Sequence, residues 1–211
     1  TKEGLVRGCS CRGTAGVAHV SCLAEEAKIL VAEAEENHLG GTDAFYDRWQ
    51  RWKHCSLCEQ EYHGVVGCAL GWACWKTYLG RPEVDGSRRM AMTQLGNGLS
   101  DAGHHEDALC LRDTELSTER RLGAPQNDIL TAQNNLANTY HMLGRLDEAI
   151  PLRRGVYSGY VKLLGEQDRD TLSAALNYAS SLNDLQRFEE AKALLRKTMP
   201  VARRVFGESN E

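Results

Sequence analysis

No stretch of this chain is apolar over the ~20 residues that a membrane-crossing helix needs. The longest apolar run, Gly64 to Trp75, is too short. One-sided charge is missing as well. The formal net charge is −4, too small and too mixed to argue for nucleic acid or an anionic membrane surface. No basic segment is interleaved with aromatics in the way that base stacking requires. Nor is there a phosphate-cradling Gly-rich loop, an HExxH helix or a GxSxG nucleophile turn. These absences set aside nucleic acid and membrane as partners, and a self-contained hydrolase as the activity.

What is present is a 211-residue chain, 42% hydrophobic, suited to a globular or repeat protein. A pattern recurs along its second half. Leu122-Gly123, Leu164-Gly165 and Phe206-Gly207 repeat every 42 residues, and Leu79-Gly80 precedes them by 43. Each pair follows a stretch of helical periodicity, and each Gly sits where a helix should stop. Gly103 to Ala108, Gly144 to Ala149 and Gln186 to Ala191 line up in the same register. Gly103, Gly144 and Gln186 make inter-helix turns. The acidic residues that follow open the second helix, where negative charge complements the helix dipole. Three helix–turn–helix units result, at about 86–123, 127–165 and 169–207. Each buries its apolar face only by stacking on a neighbour.

The run Asn134-Asn135-Leu136-Ala137-Asn138-Thr139-Tyr140, followed by Leu143-Gly144-Arg145-Leu146-Asp147-Glu148-Ala149, resembles the tetratricopeptide (TPR) repeats of kinesin light chains. The period exceeds the ordinary TPR length of about 34, as in that subtype. The resemblance covers roughly residues 86–211. It implies that the first helix of each hairpin lines a concave face, where amide side chains clasp the backbone of a bound peptide. The matching positions are Asn97, Asn138 and Ser180 in one row, and Gln94, Asn135 and Asn177 in another. These residues could equally brace neighbouring helices. In the first repeat Gly96 and Gly98 weaken the leading helix by ~1 kcal/mol each against Ala. Pro151 falls near a helix start, and Pro200 should kink the last helix.

Eight cysteines are present. In the N-terminal part Cys9-x-Cys11, His19-x-x-Cys22 and Cys55-x-x-Cys58 form closely spaced donor pairs, the arrangement a tetrahedral zinc site requires. The text Cys9-Ser10-Cys11-Arg12-Gly13-Thr14, then His19-Val20-Ser21-Cys22-Leu23, is similar to the second and third ligand pairs of a RING-CH (RINGv) finger, with Trp52 ahead of the fourth pair. The match covers about residues 5–62. Such fingers are cross-braced. By resemblance Cys9, Cys11, Cys55 and Cys58 hold one zinc, and His19 and Cys22 belong to a second. The chain opens on Thr1 and stops in mid-pattern at Glu211, so we expect a fragment, with the missing ligand pair upstream of Thr1.

Thirty-two residues separate Cys22 from Cys55, longer than the family's usual spacing. Leu23 to Asn37 should be an inserted helix, ended by Leu39-Gly40-Gly41. Trp49 or Trp52 offers a hydrophobic contact for a ubiquitin-conjugating enzyme, or fills a core. Tyr62 to Leu79 reads as a helix capping the repeat stack, with Cys68 and Cys74 as buried thiols. Cys110 is expected in a core. His104-His105 falls on a turn and should face solvent.

The expected fold is mainly α. A small zinc-bound RING-like domain (1–62) and a capping helix (63–80) precede an α-solenoid of TPR hairpins (81–211). Metal-like cysteine spacing implies reduced thiols and an intracellular, cytoplasmic location. Two functions follow from the resemblances. One is a RING-type ubiquitin ligase, acting through a partner conjugating enzyme, whose TPR array recruits substrate. The other is a non-catalytic TPR scaffold with a structural zinc finger.

Overall fold

A computed structural model describes residues 4–7 and 17–207 of the chain. Cys9 and Cys11 lie outside them. Among the described residues the protein is helical throughout, with α1 (Val20–Glu36), α2 (Asp43–Trp49), a single 3₁₀ turn (Gln50–Trp52), α3 (Gly64–Tyr78), α4 (Gly86–Asp101), α5 (His105–Arg121), α6 (Gln126–Met142), α7 (Leu146–Leu164), α8 (Arg169–Asp184) and α9 (Phe188–Phe206). Two isolated antiparallel bridges, Val6 with Ala18 and His54 with Glu61, are the remaining regular pairings among these residues. The chain divides into two compact units, Thr1–Leu111 and Arg112–Glu211, with the division inside α5.

In the first unit one apolar core runs through the expected finger, the capping helix and the first repeat. Ala27, Val31 and Ala34 of α1 share it with Phe45, Trp49, Trp52, Cys74, Tyr78 and Ala91. Trp49 and Trp52 are 5% and 0% exposed, so both are core residues, which removes them as a surface for a conjugating enzyme. The inserted helix forms as expected and packs on α2 and α3. Its Glu35 receives both guanidinium arms of Arg81, at 2.6 and 2.8 Å, and the Ser87 hydroxyl at 2.8 Å. Arg81 also stacks over the Tyr78 ring, 4.7 Å from its centroid. This knot joins α1 to the linker between α3 and α4.

Gly98, one of the glycines that weaken α4, has a packing reason. A Cβ on Gly98 would stand 2.8 Å from the Gly67 carbonyl oxygen and 2.9 Å from the Cys68 Cα, and one on Gly71 would stand 3.1 Å from the Leu95 Cα. Helices α3 and α4 touch backbone to backbone through these positions. Helix propensity is given up for contact. The first turns of α5 then cover α4 through Ala108, which meets Leu95 and Leu99.

The second unit stacks α6 on α7, α7 on α8 and α8 on α9. Leu130, Val156, Tyr160 and Ala174 form one core layer, and Ile150, Tyr178, Leu182 and Ala191 the next. The helix boundaries coincide with the repeat units read from the sequence. Gly103 and Gly144 turn at positive φ (81° and 71°), and Gln186 does the same at 57° without the freedom of a glycine. Asp85 and Asp168 cap α4 and α8 by accepting backbone N–H groups. Helix α9 continues through Pro200 to Phe206. Cys74 is fully buried as expected, and burial pushes its thiol far up. Cys68 is half-buried, and Cys110 is exposed rather than in a core, because it sits on the outer side of α5.

Candidate functional site

The candidate peptide-binding positions all fall on the first helices of hairpins: Asn97 on α4, Asn135 and Asn138 on α6, Asn177 and Ser180 on α8. Asn97 and Ser180 are exposed, while Asn135, Asn138 and Asn177 are half-buried. Within the second unit α6 and α8 are tied at their C-terminal ends by His141 Nε2 and Asp184 Oδ2, 2.7 Å apart. The tie joins the ends of the two helices that carry the Asn135/Asn138 and Asn177/Ser180 pairs. The Gln94 position is different in kind, being only 7% exposed.

Asn138 has a second duty that the sequence reading left open. Its side-chain carbonyl accepts from Arg153 Nη1 at 2.7 Å, and Asn134 accepts from the same atom at 3.4 Å. Arg153 is 4% exposed, and burial lowers its pKa to about 10. Among the described residues its Nε has no hydrogen-bond partner. One repeat earlier the equivalent Arg112 faces Glu115 at 2.7 Å, but the position matching Glu115 is Val156. Amide carbonyls therefore replace a carboxylate as the partners of a buried cation. In the third repeat the equivalents of Asn134, Asn138 and Arg153 are Leu176, Ser180 and Leu195. The cation and its two acceptors disappear together, a signal that the repeat alignment held. The Asn138 carbonyl is thus engaged within its own hairpin, as in the bracing alternative.

The candidate metal ligands fall at two places in the first unit. His19 precedes α1 and Cys22 lies in its first turn, with His19 Nδ1 3.8 Å from Cys22 Sγ. That is a side-chain contact between residues three apart at the start of α1. Cys55 and Cys58 lie on a tight turn. The Cys55 N–H donates to the Gln60 carbonyl at 2.9 Å, and Glu59 N–H donates to the Cys55 carbonyl at 3.0 Å. The Leu57 N–H points at Cys55 Sγ from 3.4 Å. Val6, which bridges to Ala18, packs in the same cluster as Cys55 and Cys58, with Val20 and Leu23.

Among the described residues no group of three or more His, Cys, Asp or Glu side chains is placed to hold a metal ion. The donors appear as two separate pairs. His104 is exposed on its turn, and His105 is half-buried with its Nδ1 unpartnered. No helix among the described residues is long and apolar enough to cross a membrane.

Residues 128–204 match the family model for the tetratricopeptide repeat. Over those residues the repeats match the TPR type. Among solved structures, the nearly identical TPR-like repeats of a Podosopora anserina kinesin light chain candidate superpose on this chain with a TM-score of 0.56 at 15% identity. The match covers 90% of each chain. A singly substituted variant of those repeats gives the same TM-score and identity over 88% of this chain and 87% of that one. At that identity the likeness is one of fold, a TPR-like helical solenoid, and its coverage takes in most of the first unit as well as the second. No curated protein sequence matches the chain significantly. No RING-CH finger emerges from these comparisons.

Proposed function

We propose that the chain is a protein-interaction scaffold whose TPR hairpins hold a peptide along their first helices. The observation that carries this reading is the row of amides on adjacent leading helices: Asn135 and Asn138 on α6, Asn177 and Ser180 on α8. Asn97 holds the matching position on α4 of the first unit. An amide offers donors and an acceptor at once, which suits an extended peptide backbone. Asn135 and Asn177 carry most of the contact, because the Asn138 carbonyl already serves Arg153 and leaves its N–H₂ as the reaching group.

Peptides selected from a random display library against the chain provide the test. Asn135→Ala and Asn177→Ala should each weaken the selected peptides about fivefold or more, the loss of ~1 kcal/mol that marks a contributing interface residue. Circular dichroism should stay unchanged. Selected peptides that bind both variants as well as the parent would overturn the reading.

A second reading keeps the zinc finger. The sequence spacing of the donor pairs Cys9-x-Cys11, His19-x-x-Cys22 and Cys55-x-x-Cys58 favours it. Cys9, Cys11, Cys55 and Cys58 would hold one zinc, with His19 and Cys22 contributing to another. Zinc in closed shells shapes a surface and activates no water. A ubiquitin ligase of this kind supplies no nucleophile, and the chemistry stays with the conjugating enzyme. Autoubiquitination with a panel of conjugating enzymes tests the ligase step. Silence throughout, or activity indifferent to Cys55→Ser, leaves the scaffold as the function.

A further inference from the structure

A polar cavity of about 100 Å³ opens where the segment after the cysteine turn meets α3 and α4. One stripe of α4 lines it, with Gln94, Asn97, Gly98 and Asp101 at helical spacing. Glu61 and His63 close the other side. Gly98 brings α4 against the Gly67 carbonyl, and Gly67 itself lies against the Tyr62 carbonyl, so neither lining glycine puts a side chain into the groove.

Two independent features mark it as a site. Gln94 is more than nine-tenths buried and lines the cavity, yet among the described residues its side-chain amide has no hydrogen-bond partner. A buried amide normally finds one. The rim is also of one sign. Glu61 and Asp101 supply carboxylates, and no lysine or arginine is among the lining residues. Asp101 Oδ2 accepts from the Gly64 N–H at 2.5 Å and stands 3.7 Å from His63 Nδ1. Its position is therefore held by the start of α3.

We propose that this cavity binds the ammonium or guanidinium head of a basic side chain on a partner peptide. The Gln94 carbonyl would accept from below, and Glu61 and Asp101 would supply the opposing charge. At about 30 Å³ per water, the volume suits a cationic head and a methylene or two. That the cation belongs to a peptide rests on the scaffold reading above; that the cavity takes a cation does not.

The test is an NMR titration of the ¹⁵N-labelled chain with N-acetyl-lysine methylamide, N-acetyl-arginine methylamide and the uncharged N-acetyl-norleucine methylamide. The two cations should shift the Gln94 side-chain N–H₂ and the Gly98 amide saturably, and the norleucine compound should not. Glu61→Gln changes an exposed residue, so the fold survives. It should weaken the cations about three- to fivefold, as loss of a partly exposed ion pair does. Gln94→Leu should remove the saturable shift at Gly98. Equal shifts from norleucine and lysine, no saturable shift from either cation, or indifference to Glu61→Gln would each overturn the proposal. Cations that bind while no displayed peptide is selected would keep this site and discard the peptide reading. Peptides that bind while the cations do not would do the reverse.

Discussion

Gln186 turns the third hairpin in the left-handed region, φ 57°, where its counterparts are Gly103 and Gly144. An L side chain there costs roughly 1–2 kcal/mol. A glycine would relieve that cost but add about 0.5–1 kcal/mol of unfolded-chain entropy. Gln186→Gly is therefore expected to stabilise the second unit by about 0.5–1 kcal/mol. The check is a raised urea midpoint at unchanged slope. Arg153 presents the opposite case, a buried cation that depends on neutral acceptors. Asn138→Ser alone should cost about 2–3 kcal/mol, because a charged donor is left without its main partner. Paired with Arg153→Leu it recreates the third repeat's combination of Ser180 and Leu195. The pair should cost less than the sum of the single changes by about 1 kcal/mol or more, measured in a double-mutant unfolding cycle. A sequence reader sees Asn138 as a binding residue because it stands on the leading helix. Only the hairpin packing brings Arg153 beneath it.

At the scale of elements, α3 and α4 are held by the absence of side chains. Gly98→Ala raises helix propensity by about 1 kcal/mol but drives a methyl group into the Gly67 carbonyl and the Cys68 backbone. Neither backbone group can rotate away, so overpacking of about 1–3 kcal/mol wins. A net loss of stability in thermal unfolding is expected. The Glu35–Arg81 knot ties α1 to the same region. The hydrogen bonds from Arg81 hold the Glu35 carboxyl below its usual range, against the opposing effect of burial and with help from Ser87. A depressed carboxyl stabilises the fold at pH values above its unfolded pKa. That contribution is lost as pH falls through the lower folded value. Acid titration should thus show a loss below the ordinary carboxylate range of about pH 4, which Glu35→Gln removes. Partial exposure of both side chains limits the effect to about 1 kcal/mol. The helix pattern of this region was legible from the sequence, because Ala- and Glu-rich spacing is local. The knot was not, since Glu35 and Arg81 are 46 residues apart.

At the scale of the molecule, the expected boundaries at 62 and 80 do not mark a break in the core, which runs unbroken from Ala27 to Ala91. Cys55 lies in a second cluster with Tyr62, Val66 and Leu70, against which Cys58 packs. If zinc holds the cysteine pairs, a chelator should release metal and melt the neighbouring packing, while the second unit keeps its helices. Metal analysis of the purified chain should find zinc in at least stoichiometric amount. Thiol labelling after chelation should reach Cys55 and Cys58 but leave Cys74 untouched in the folded state, because Cys74 is sealed between α3 and its neighbours. Sub-stoichiometric zinc, or labelling that a chelator does not change, would refute the metal reading.

The sequence by itself determined the hairpins. Their Leu-Gly stops, turn residues and acidic helix starts are local features repeated at one period, and local hydrogen bonding enforces them wherever the chain packs. It also marked the cysteine pairs, whose spacing is local too. The tertiary structure alone decided that Trp49 and Trp52 are core residues, that Cys110 faces solvent, and that Asn138 serves a buried arginine. It also decided that a polar cavity forms around Gln94. Each of these depends on which helix meets which face, and helical periodicity carries no information about that.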